Sequence, residues 1–327
     1  MSFKRLDPED FLVSADSIVA PAWSNYSLTS STTYPNPSQT AGPSGPYYMD
    51  RYNLDPSLNG AAEIQYSIAY GDVKGSGSLL YNSSTPGLSP SRTVYGQFVN
   101  LLLGEDENAS FDFGGPAENN ECFYAIVIDR ARYKQAIMPG SIQINGLVSG
   151  VKITDNSKIT PVVDYVSGGR RFALGSGSFG DGVENGSEGV YGYLFPDVGV
   201  IILNALALTS GAPTRGNGTT NNNNPSTLAT ALNGDAFYLQ SQETITSDFV
   251  FCRARNAEFN YSINPSFSVS ASAGSILYND FVQNPATYIT SVGMYNDNNE
   301  LLAVAKLSKP LKKDFTKEAL VRVKLDF

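Results

Sequence analysis

The sequence predicts a mainly β fold, built as antiparallel sheets or a β-sandwich with one or two short helices and long loops. Three observations predict it. Only 16% of residues are charged, while 19 tyrosines and 17 phenylalanines accompany abundant Gly, Ser, Asn and Thr, a composition that favours strands and turns over long surface helices. In residues 321–327, Val321, Val323, Leu325 and Phe327 alternate with Arg322, Lys324 and Asp326, the period of a strand with one buried and one wet face. Tight-turn dipeptides recur, among them Asn145-Gly146, Gly168-Gly169 and Asn185-Gly186.

Asp7-Pro8-Glu9-Asp10 starts a helical turn ahead of an apolar arm, residues 11–22, of the kind that lies on a neighbour. Residues 27–46 are rich in Ser, Thr, Pro and Gly and hold too little apolar surface to offset their own ordering. A strand is expected at 62–70 and a turn at 71–78. Ser89 as N-cap, Pro90 at the first helical position, an apolar face of Val94, Phe98, Leu101 and Leu102, and Gly104 as terminator predict a helix.

Residues 123–128 read as a continuously apolar strand, and Pro139-Gly140 as a turn. Residues 198–208 are apolar enough to be buried, with the secondary structure after Leu203 left open. Residues 211–224 form a low-complexity loop, and Asn224-Pro225 starts a short helix closed by Asn233-Gly234. A long strand follows at 243–254. Residues 288–327 form a closing unit of strand, turn at Asn296-Asp297-Asn298-Asn299, strand, basic connection and final strand. The expected organisation is an N-terminal arm and loop (1–60), a main β-rich domain (61–139 with 206–327) and an inserted small β subdomain (140–205).

A net charge of −9 argues against a general affinity for nucleic acid, which requires a basic stripe. Lys306, Lys309, Lys312, Lys313 and Lys317 make the only basic run, read as a solvated connection, with an acidic partner as the alternative. No apolar stretch is long enough for membrane insertion or a signal peptide, so synthesis in a cytoplasm is expected. Cys122 and Cys252 read as small core residues, with a single disulfide left open.

The absence of histidine removes Ser-His-Asp and Cys-His nucleophile systems. Gly175 to Gly180 match a dinucleotide fingerprint in letters, but turn residues follow where a helix is required. Glu105-Asp106-Glu107 and Asp297-Asn298-Asn299-Glu300 lack the spacing and glycine of a calcium loop and read as exposed loops. Asp112, Glu121, Asp164 and Asp197 leave a glycosidase-type carboxylate pair open, with nothing joining any two. Tyr47, Tyr48 and Tyr52 offer rings for sugar stacking, although such rings are more often core or interface.

Arg130, Arg132, Arg253 and Arg255 either meet a neighbouring subunit or form local ion pairs. Sequons at Asn25, Asn82, Asn108, Asn185, Asn217 and Asn260 follow from composition. No catalytic, cofactor-binding or metal-binding residue is assigned; the expectation is a protein that is not an enzyme and uses no cofactor.

Several stretches carry a resemblance: FKRLDPEDF at the start, GSGSLLYNSS (75–84), SPSRTVYGQF (89–98), RARYK (130–134), PDVGVIILN (196–204), ITSDFVFCRARNAEFNYSINPSF (245–267) and the closing unit. Together they resemble virion structural proteins of marine contractile-tailed bacteriophages of the cyanophage type. The resemblance is densest after Thr244 and looser around 27–60 and 140–190. It implies a particle component, a baseplate or tail-end wedge first, a neck or collar second and a head decoration third. The implied partners are other tail or baseplate proteins and copies of the same chain, and the implied location is the virion. It transfers no active-site residue.

Overall fold

The computed structural model describes residues 4–30, 33–35, 48–77, 81–82, 84–85, 88–106, 109–160, 162–184, 189–215, 224–262 and 280–326, with only the backbone of 280 and 281. The protein is mainly β, with large antiparallel sheets, one of them curled as half a barrel. The strands begin with β1 (Phe11–Pro21), β2 (Tyr34–Pro35), β3 (Tyr48–Tyr52) and β4 (Ile64–Asp72). After helix α1 (Pro90–Leu103) come β5 (Cys122–Ile128), the one-turn α2 (Arg130–Tyr133), β6 (Ala136–Ile137), β7 (Gln143–Val148) and β8 (Val151–Asp155). Then follow β9 (Asp164–Val166), β10 (Gly169–Ser176), β11 (Gly192–Phe195), β12 (Val200–Asn204) and α3 (Asn224–Leu232). The chain ends with β13 (Phe237–Tyr238), β14 (Gln240–Ala254), α4 (Asp280–Gln283), β15 (Ala286–Tyr295), β16 (Leu301–Asp314) and β17 (Ala319–Asp326).

The chain divides into two compact units, Ser17–Glu243 and Met1–Asp16 with Thr244–Phe327, the divisions falling inside β1 and β14. The expected boundaries near 60, 139 and 205 are therefore corrected. The segment 140–205 is no inserted subdomain: β7 to β12 belong to the sheet that contains β4 and β5, in the order β13-β7-β8-β10-β11-β12-β5-β4-β3-β2. β12 pairs with β5 residue for residue, from Val200 opposite Val127 to Asn204 opposite Phe123.

The reason lies in burial on both faces. Along β5, Cys122, Tyr124, Ile126 and Ile128 enter one core, while Phe123 and Ala125 enter another on the opposite face. β12 does the same with Ile201 and Leu203 against Val200 and Ile202. Strands apolar on both faces need neighbours on both edges and cover on both sides, so β5 reads as a continuous apolar run.

Helix α1 covers the second core with Val94, Tyr95, Phe98, Val99 and Leu102. Its predicted start at Ser89-Pro90 and stop at Gly104, where φ is 100°, are both observed, whereas Leu101 points outward. Helix α3 covers the first core with Leu228, Ala229 and Leu232. Trp23 also lies in that core, its Nε1 donating to the Phe237 carbonyl at 3.0 Å and its ring meeting Phe237 edge-on at 5.2 Å.

One local expectation changes, and one point left open is settled. Asn145-Gly146 is a bulge inside β7 and not a hairpin turn; Gly146 takes φ 82°, and the reversal falls at Ser149-Gly150. The chain around Leu203 continues as strand to Asn204 and then makes a single 3-10 turn, Ala205–Ala207. Asn185-Gly186 lies outside the described residues.

In the second unit, β14 pairs with β17 without interruption from Ser247 opposite Asp326 to Ala254 opposite Ala319. The predicted alternation of β17 holds in phase: Val323 is buried, Val321 and Leu325 half-buried, and Arg322, Lys324 and Asp326 exposed. Phe327 is outside the described residues. The predicted hairpin is β15–β16, reversed where Asn296 Oδ1 accepts from the Asn298 and Glu300 amides and Asn299 takes φ 62°.

The basic run is not a connection. Lys306, Lys309, Lys312 and Lys313 lie within β16, and Lys317 alone falls in the turn to β17. Lys313 is buried, donating to the Asn256 and Asp314 carbonyls and to Asn260 Oδ1.

Candidate functional site

The four carboxylates that left a hydrolase open are each held by their own partners. Glu121 pairs with Lys74 and Arg215, Asp164 with Arg171, and Asp197 with Arg170. Asp112 Oδ1 accepts from the Gly114 amide at 3.0 Å and from Asn120 Nδ2 at 3.2 Å. The hydrogen bond from Lys74 leads in holding Glu121 below the usual carboxylate range, with burial opposing and Arg215 adding. Burial works to raise Asp197, but the Arg170 side chain and amide outweigh it and hold its pKa down. A glycosidase acid requires the opposite displacement, a carboxyl kept protonated near neutrality.

A polar cluster at the end of β4 escaped sequence reasoning. Asp72, at the buried end of β4, accepts from Arg215 Nε at 2.8 Å, from the Lys74 and Ser76 amides and from the Tyr70 hydroxyl. Burial opposes the Arg215 charge, but Glu121 and Asp72 outweigh it and raise its pKa. Asn224, expected as an N-cap, is buried and pins the loop before it: its Oδ1 accepts from the Thr214 amide and its Nδ2 donates to the Gly77 and Thr214 carbonyls. Arg215 sits in low-complexity sequence without periodicity, so no sequence signal singled it out. Beside this cluster, burial pushes the Cys122 thiol up to about 11, which suits a core residue and not a nucleophile. Cys122 and Cys252 are both free thiols.

The Gly175–Gly180 segment spends its amides on its own fold. Ser176 donates to Val183, Gly177 to Lys152, and Gly180 to Thr154 Oγ1. A phosphate cradle needs such amides free.

Of the two acidic loops, the turn after β15 uses Glu300 Oε2 to accept from Asn296 Nδ2 at 2.7 Å; Glu107 of the other lies outside the described residues. Among the described residues no cluster of three Cys, Asp or Glu is arranged to hold a metal ion, and no helix is long and apolar enough to cross a membrane.

Of the paired arginines, Arg132 meets Glu63 at 3.3 Å and Arg130 stacks over Tyr133. The Arg253 carbonyl accepts from Lys4, and the Arg255 amide donates to Glu258. Asn25, Asn82 and Asn260 are engaged in local turns, while Asn108, Asn185 and Asn217 lie outside the described residues. Tyr52 of β3 faces Tyr34 of β2, and Tyr48 is exposed; Tyr47 is not among the described residues.

What stands out is apolar surface on strands. β1 is an edge strand of the order β1-β14-β17, and Phe11, Leu12 and Val13 are 52%, 54% and 67% exposed, with Ile18 and Val19 exposed further along. Consecutive residues of a strand point to opposite faces, so β1 is apolar and wet on both. The β15–β16 ribbon repeats the feature with Tyr288, Leu301, Leu302 and Val304, all exposed. Long, exposed apolar edge strands are pairing sites unless blunted. The sequence flagged both stretches as apolar; their exposure was decided by the fold.

No protein-family model, curated protein or solved structure matches this chain.

Proposed function

We propose that this chain is a structural subunit of a bacteriophage particle, of the baseplate wedge or another tail-end component, acting through protein–protein interfaces. The observation that carries the reading is β1, apolar and exposed on both faces and, among the described residues, paired along one edge only. Its five exposed apolar side chains are already about half covered, so burying each fully releases about half of the 1.5–3 kcal/mol of a fully exposed one, to be set against the several kcal/mol that association costs. The resemblance to cyanophage virion proteins supplies the kind of particle. The engagement of Asp112, Glu121, Asp164 and Asp197 by their own partners supports an interface role over catalysis.

The test is to locate the subunit in intact particles by electron cryo-microscopy, together with co-sedimentation of the purified chain with tail proteins. Val13→Lys is expected to weaken co-sedimentation and leave the circular dichroism spectrum unchanged. A neck, collar or head position would overturn the tail-end assignment. A purified chain that stays monomeric and joins no particle protein would overturn the whole reading.

A second reading, a glycan-binding module, rests on Tyr34 lying directly opposite Tyr52, with the exposed Tyr48 at the other end of β3. Aromatic faces of this kind stack on sugar rings. A glycan array without hits removes it.

A further inference from the structure

We propose that β15 pairs antiparallel with β15 of a second copy of this chain about a two-fold axis, giving a four-stranded sheet in the order β16-β15-β15-β16. This deepens the assembly reading above and rests on it. The ribbon pairs only with itself among the described residues, and an isolated two-stranded ribbon is marginal in water. In register, the pairs Thr287–Lys313, Ile289–Leu311, Val292–Ala305 and Met294–Ala303 are buried or half-buried, whereas Tyr288–Lys312, Ser291–Lys306, Gly293–Val304 and Tyr295–Leu301 are exposed, so one set of cross-strand pairs stays wet along the whole ribbon.

The two edges differ in charge. β16 carries Lys306, Lys309, Pro310 and Lys312, the residues that blunt an edge against pairing. β15 reads ATYITSVGMY, ten residues with no charge and no proline. A strand laid along β16 would meet that row of lysines at about 4.8 Å, and a second β16 would place two such rows together. Pairing through β15 sets the two lysine rows three strand spacings apart, about 14 Å, beyond the ~8–10 Å screening length at physiological salt.

The partner that fits an uncharged ten-residue edge without leaving a charge unpaired is a strand of the same length and neutrality, and the same chain supplies one. A two-fold axis normal to the sheet brings equivalent faces to the same side, the self-complementary arrangement of a closed dimer.

Ser291 is exposed near the middle of β15 and lies opposite Lys306 within its own ribbon. Ser291→Glu therefore adds an opposite-charge pair inside the ribbon and, in the paired dimer, brings two carboxylates together near the axis. By sedimentation velocity the full chain is expected to be a dimer. Ser291→Glu is expected to weaken it about fivefold or more at low salt with an unchanged melting temperature. Ser291→Cys is expected to cross-link as a dimer on mild oxidation.

A dimer indifferent to Ser291→Glu, and not cross-linked through Ser291→Cys, overturns the assignment of the edge. A monomer that still co-sediments with tail proteins overturns self-pairing and leaves the assembly reading standing. A monomer that joins nothing overturns both.

Discussion

Arg215 reaches Asp72 with Nε at 2.8 Å and Glu121 with Nη2 at 2.9 Å, tying a residue of a low-complexity loop to a carboxylate with no solvent exposure at the end of β4. A buried carboxylate with three other donors still lacks a countercharge if the guanidinium goes. That asymmetry decides what substitutions do here.

Arg215→Ala is expected to destabilise the unit Ser17–Glu243 by about 3 kcal/mol, the low end for a broken buried pair because the arginine head is partly exposed. Trp23, buried in the core of the same unit, reports this by fluorescence in urea. The pair Asp72→Asn with Arg215→Met is expected to recover much of the loss, since neither charge then remains. An unchanged midpoint in Arg215→Ala would show the pair to be without weight.

Acid is expected to weaken the same unit through Glu121. Its folded pKa lies below its unfolded value, so its contribution is complete above about pH 4.3 and is lost as the pH falls through the folded pKa. Glu121→Gln is expected to flatten the acid limb of the Trp23 stability profile below about pH 4.3 and to lower the neutral plateau. Parallel profiles for the two proteins would contradict this.

The two thiols are expected to separate by exposure. Cys122 is buried with its pKa pushed up to about 11, whereas Cys252 is half-buried, its pKa raised chiefly by burial. At neutral pH a thiol reagent is expected to modify Cys252 first and Cys122 only at the rate of unfolding. Equal rates for both would show that the β4–β5 end opens readily.

On the final strand, neighbouring substitutions are expected to differ. Val323→Ala removes two buried methyl groups, a loss of about 2 kcal/mol, while Arg322→Ser gives up a stacking contact over Phe249, at most about 1 kcal/mol. Cys252 lies opposite Val321 in register, so its reactivity reads the fraying of β17 directly. Deleting residues 321–327 is expected to abolish cooperative folding of the unit that β17 belongs to. A truncated chain in which Cys252 keeps its protection would refute this.

Local pattern determined a good deal of this protein: the phase of β17, the hairpin at Asn296, the start and stop of α1, the start of α3 and the mainly β character. Each depends on residues a few positions apart, where steric and hydrogen-bonding preferences act within one element. Partner choice belonged to the tertiary structure, because a strand does not encode in its own period which distant edge it joins. Thus 140–205 merged with β5 because β5 and β12 are apolar on both faces and need cover on both, and Asn145-Gly146 became a bulge because β7 continues past it. The lysine run became strand β16 because its backbone found β15. Of the candidate site, the apolar character of β1 and β15 was readable from residue types, but their exposure was not, since burial depends on which chain segments return to cover them. Arg215 could be placed against Asp72 only by the fold, because an isolated charge in an aperiodic loop becomes meaningful when a buried opposite charge lies within 3 Å of it.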